Sequence, residues 1–138
     1  MKEFQLWALG SAFFASVTAI LAKKGVEHVP PNLAVAIRVV VVAMFAVAIA
    51  FMTKQTKLAS IESRAWVFLV LSGIATGLSW LCYFRALALG PVSQVAPIDK
   101  LSFVLTVVLG LVLLGEKVSW NLALGAGLIT AGVVVTLR

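Results

Sequence analysis

The sequence predicts an all-α membrane protein built as a bundle of five transmembrane helices, and three observations lead there. Of its 138 residues 62% are hydrophobic and only 12% charged, with a mean hydropathy of +1.12. A soluble domain of this size leaves too large a share of its surface in water to hide so much apolar side chain. Apolar runs of about 20 residues, the length that crosses a bilayer as a helix, then recur five times with short connections. Finally, Trp7, Trp66 and Trp120 each fall near the start of an odd-numbered run. Alternating spans place all three at one interface, as an aromatic belt requires.

The first span is read as Phe4–Ala22. Lys2 followed by this run imitates a signal peptide, but the remaining chain is just as hydrophobic, so the run is assigned as a span. Ser11, Ala15, Thr18 and Ala22 give it a small-residue face suited to close helix approach. His28 follows in a short loop, where solvation accounts for it. The second span, Leu33–Met52, carries Arg38. The longest connection, Thr53–Arg64, is polar and interfacial, with Ser60 or Ser63 placed to cap the third helix. That span, Ala65–Leu89, holds Gly73 and Gly77 at close-packing spacing, then Trp80, Cys82, Tyr83, Phe84 and Arg85. A lone cysteine excludes an intrachain disulfide and reads as a packing residue.

The fourth span, Val92–Leu114, is the most informative. A Gly90-Pro91 turn opens it and Leu-Gly-Glu closes it. Pro97 interrupts its first turns by removing one intrahelical bond and freeing the carbonyl near Ser93. Asp99 and Lys100 lie within it. A charge at membrane depth costs roughly 2.5–3.5 kcal/mol on insertion scales, so two adjacent ones mark a functional site. Asp99, Ser102 and Thr106 follow i, i+3, i+7 and form one polar stripe, expected to face a chamber or a neighbouring helix. Gln94 lies in the loosened turn. The fifth span, Asn121–Leu137, presents Gly125, Gly127 and Gly132, a face suited to a partner chain. Residues 1–138 read as one transmembrane domain.

Four ionisable residues thus lie inside spans: Arg38, Arg85, Asp99 and Lys100. By helix rise all four fall in one layer, roughly 6–12 Å below one surface. A single polar chamber needs such a layer. Arg38 and Arg85 also have the length to snorkel, and Arg38 could simply pair with Asp99, whereas Asp99, being short, cannot snorkel. Trp80, Tyr83 and Phe84 lie beneath the layer, placed to stack on a substrate or simply to pack. No catalytic triad, metal-ligand spacing or glycine-rich nucleotide motif occurs, so neither enzymatic activity nor a cofactor or metal is expected.

The net charge is +6. Most basic residues sit at span ends, where they contact lipid headgroups; there is no basic-aromatic stripe, and nucleic acid is not expected as a partner. The face bearing the N-terminus holds Lys2, Lys54, Lys57, Arg64 and Lys117, and the opposite face holds Lys23, Lys24 and Arg138. With Arg38, Arg85 and Lys100 added to the second group, the bias is too weak to fix one orientation. Two readings stand: copies inserted both ways that pair antiparallel, or one orientation with the N-terminal face cytoplasmic.

The Leu113–Glu116 ending, the Trp-containing turn after it, the glycine-rich last span, Pro97 early in the fourth span and Arg38 in the second resemble the EamA domain of the drug/metabolite transporter superfamily. Most such transporters are similar to ten-span chains made of two inverted five-span halves, and this chain resembles one half. Pro97–Ser102 looks like the short five-span bacterial and archaeal subgroup. The resemblance implies a multi-pass inner-membrane transporter that moves a small-molecule substrate by alternating access. It also implies a homodimer of ten helices, most directly an antiparallel one. The related small multidrug resistance proteins use a glutamate in the first span, and Phe4–Ala22 has no acid. That departure argues against cation efflux by their route. Three cations against one acid in the layer favour an anionic substrate bearing carboxylate or phosphate. Substrate-binding residues are accordingly expected among Asp99, Lys100, Arg38, Arg85, Trp80, Tyr83, Ser102 and Thr106. A non-transporting membrane subunit, or a flippase for an anionic lipid carrier, are the competing readings.

Overall fold

A computed structural model describes residues 2–137. Arg138, counted above among the basic residues of one face, lies outside the described residues. The described chain is all-helical, and its helices group into two compact units that divide at Leu89 and Gly90.

The first unit packs three helices, α1 (Glu3–Val26), α2 (Pro31–Met52) and α3 (Ser63–Leu89). Each is long and apolar enough to cross a membrane. At the start of α1 the Lys2 backbone N–H donates to Gln5 Oε1 at 2.8 Å, which satisfies one donor at the helix entrance. Pro31 opens α2, where its fixed φ suits the first helical position and its missing N–H costs nothing. Lys54 closes α2 at a φ of 57°, a left-handed conformation in a non-glycine residue. Neither serine proposed as a cap for α3 takes that role. Ser63 is already inside the helix, and the Ser60 hydroxyl donates to the Lys57 carbonyl at 2.8 Å within one 3-10 turn, Leu58–Ser60. The reason is register: α3 begins at Ser63 and the Glu62 carbonyl accepts its first helical bonds, so Glu62 and neither serine holds the cap position.

The interior of this unit is small. Ala19, Ala22 and Val26 of α1, Val35 of α2, and Phe84 and Leu87 of α3 are buried, Leu87 completely. Most of the remaining large apolar side chains are exposed, as suits faces whose solvent is lipid rather than water. Lys23 adds one polar tie, its ammonium donating to the Leu87 carbonyl at 2.8 Å. The sequence explains why that carbonyl is available. Its helical partner four residues on would be Pro91, which has no N–H. A cation at this end of α3 also meets the negative end of the helix dipole.

The second unit contains α4 (Val92–Asp99), α5 (Leu101–Leu114) and α6 (Trp120–Thr136). The fourth span is therefore two helices in series. Pro97 lies inside α4, and the helical run is interrupted at Lys100. There the Lys100 N–H donates to Pro97 O at 3.0 Å and the Phe103 N–H donates to Lys100 O at 3.1 Å. Both bonds close a three-residue step, tighter than the four-residue step of an α-helix. Taken together, Val92–Leu114 is long and apolar enough to span, and Trp120–Thr136 is a shorter apolar helix. Gly115 ends α5 at a φ of 66°, and the Glu116 N–H donates to the Gly110 carbonyl at 3.2 Å. The Leu-Gly-Glu signature is thus a helix stop: only glycine takes this φ without strain. Ser119 caps α6 by accepting from the Leu122 N–H at 3.2 Å.

Candidate functional site

The residues expected to carry chemistry divide between the units, Arg38 and Arg85 in the first, Asp99 and Lys100 in the second. In the first unit, α2 brings Arg38 against α3. The guanidinium carbon lies 4.3 Å from the Trp80 ring centroid and 5.5 Å from that of Phe84. Trp80 and Phe84 are one helical turn apart, so their rings share a face and hold the cation between them. Among the described residues of this unit no carboxylate pairs with Arg38. A guanidinium carries five N–H donors, more than contacts with ring faces use.

Arg38 and Phe84 form part of the wall of a cavity of about 400 Å³, with Thr18, Leu21, Val29 and Ile37 among the other lining residues. The small-residue face read on α1 is what makes this space: Thr18 and Ala22 line it, while Ser11 and Ala15 are exposed away from the packed interior. Tyr83 is half-buried beside Phe84, and Arg85 is exposed. The first unit therefore joins Arg38 with Trp80 and Phe84 and leaves Arg85 outside that stack.

In the second unit Asp99 and Lys100 flank the break between α4 and α5. Adjacent helical side chains diverge by about 100°. The long lysine stem nonetheless brings Lys100 Nζ to 3.5 Å from Asp99 Oδ2. Both remain exposed on this chain, at 41% for Asp99 and 61% for Lys100. Ser102 and Thr106 are exposed on α5, and the Thr106 hydroxyl donates to the Ser102 carbonyl at 2.8 Å. The polar stripe is thus partly satisfied within its own helix.

Sequence reasoning read Lys23 as a headgroup residue and Thr18 as a packing residue. The first ties α1 to α3, and the second is a polar group in the cavity wall. The i, i+4, i+7 spacing of Thr18, Ala22 and Gly25 was the available signal for that wall.

Comparison with known proteins agrees with this architecture. The EamA-like transporter family matches residues 4–138. A Sinorhizobium sp. protein described as "Uncharacterized transporter in cobO 3'region" is 47% identical over 135 residues, covering 97% of this chain and 96% of its own. No solved structure matches the chain. Matched by one family over nearly its whole length, and by a relative that carries the transporter name, the chain belongs to the EamA-like transporter family.

Proposed function

We propose that this membrane transporter moves a small anionic metabolite across the inner membrane by alternating access, as an antiparallel homodimer. The observation that carries the reading is the broken fourth span. It places an exposed Asp99–Lys100 pair within a run otherwise apolar enough to cross the bilayer. Charges at that depth need protein or water around them. A second copy supplies that cover. Interrupted helices at membrane depth are also where transporters hold substrate and coupling ions. Added Cβ atoms at Gly73 and Gly77 on α3, and at Gly125, Gly127 and Gly132 on α6, would meet nothing within 4 Å, which leaves room for a partner helix.

Arg38, Arg85 and Lys100 against Asp99 make the membrane-depth charge formally positive, which favours an anionic substrate bearing carboxylate or phosphate. Asp99 is the proposed coupling acid, Lys100 and the arginines the substrate cations, and Ser102 and Thr106 the polar wall. Counterflow of labelled carboxylates and sugar phosphates into proteoliposomes tests the reading. Saturable anion exchange is expected. Binding of quaternary ammonium ions with no anion binding overturns it.

A further inference from the structure

Within the three-helix unit the cavity has two polar features of its own. Arg38 lies over the rings of Trp80 and Phe84, and no carboxylate pairs with it among the described residues of the unit. Thr18 is the second. The hydroxyls of Thr76, Thr106 and Thr130 donate to carbonyls of their own helices, each at 2.8 Å. The half-buried Thr18 makes no such bond among the described residues of its unit. The rest of the wall, including Leu21, Val29, Ile37 and Phe84, is apolar.

We propose that this cavity binds organic monoanions with a compact apolar body, the anionic head held by Arg38 and the Thr18 hydroxyl giving the second polar contact. The proposal rests on the transporter reading above and narrows its substrate class. A volume of about 400 Å³ lies at the small end of ligand sites and suits a single ring or a short chain. Sugar phosphates and nucleotides fit less well, because beside Arg38 the wall offers their hydroxyls only Thr18 among apolar side chains. A neutral isostere forfeits the charge-assisted bond to Arg38, the strongest polar interaction on offer.

The test uses 3-phenylpropanoate, its neutral analogue 3-phenylpropanol, and glucose 6-phosphate, with the full-length protein in phosphatidylcholine nanodiscs. Equilibrium binding of labelled phenylpropanoate is measured alongside Trp80 emission in a Trp7→Phe, Trp66→Phe, Trp120→Phe background. Phenylpropanoate is expected to bind saturably and change Trp80 emission, with the alcohol about tenfold weaker or more and glucose 6-phosphate inert. Arg38→Gln should raise Kd about tenfold and Thr18→Val about threefold, with Arg38→Lys in between. Equal binding of acid and alcohol, binding of glucose 6-phosphate, or binding unaffected by Arg38→Gln overturns the proposal. So does a Trp80 signal produced by phosphatidylglycerol in the disc and not by phenylpropanoate, which would assign the cavity to lipid. If the tryptophan background does not fold, the labelled-ligand measurement on the unmodified protein decides alone. A flux assay separates the two readings. Sugar-phosphate exchange without phenylpropanoate binding keeps the transporter and sinks this inference. Phenylpropanoate binding without exchange of any anion keeps this inference and sinks the anion-transport mechanism.

Discussion

Arg38 shows how little a single charged residue in a span says before its neighbours are known. Sequence placed it at membrane depth, where snorkelling and substrate binding were both open. The structure puts the guanidinium on Trp80, and that contact gives a prediction at residue scale. A cation–π contact is worth about 0.5–2 kcal/mol. Trp80→Leu should therefore weaken anion binding by at most about thirtyfold, the limit in which the whole contact goes into orienting the cation. Titration of the labelled anion checks it, and unchanged affinity would mean that the stack orients nothing. Leu87, fully buried, offers the packing counterpart. Leu87→Ala should destabilise the chain by about 2–4 kcal/mol, seen as a lower thermal midpoint in detergent. Asp99 carries the coupling prediction: Asp99→Asn should abolish exchange driven by a pH gradient, and undiminished exchange excludes it as the coupling acid.

At the scale of elements, the two glycines near the end of α5 make different demands. Gly115 has a φ of 66°, so a side chain there is strained whatever the space around it. An added Cβ at Gly110 would meet Glu116 Oε2 at 3.0 Å, the far end of a flexible side chain that can move. Gly115→Ala should therefore cost about 1–2 kcal/mol of stability, while Gly110→Ala should change it by under about half as much. Comparing the two thermal midpoints checks the pair, and equal effects would show that the left-handed stop is not what Gly115 supplies. The Lys23 tie is also an element-scale device, joining α1 to the end of α3. Lys23→Met keeps the stem and removes the donor, leaving the Leu87 carbonyl without that partner. A loss of about 1–3 kcal/mol is expected, read from the thermal midpoint in detergent. Nothing in the sequence said that a lysine 64 residues away would take the Leu87 carbonyl.

For the whole molecule the open question is assembly, and orientation decides it. With Cys82 replaced by Ala and one cysteine placed in the Thr53–Arg64 connection, an impermeant thiol reagent should label about half of the protein in whole cells and all of it after lysis, as equal insertion in both orientations requires. All-or-none labelling of intact cells would mean one orientation and end the antiparallel dimer.

Five apolar runs and their turns were legible in the sequence, because membrane insertion is decided by local hydrophobicity and length. No helix needs to know its neighbour to be recognised as a span. The end of α5 was legible for the same reason, since Leu-Gly-Glu encodes a local backbone conformation. Lys54 in the left-handed region and the interruption at Lys100, beyond the proline that advertised it, were not. Which side chains meet was decided only by tertiary structure. Arg38 stacks on Trp80, Lys23 bonds the end of α3, and Thr18 lines a cavity because three helices pack at particular rotations about their axes. Bilayer solvation constrains those rotations weakly, because lipid accepts any apolar face. Contacts between distant residues fix them, and a single chain read in order does not display those contacts.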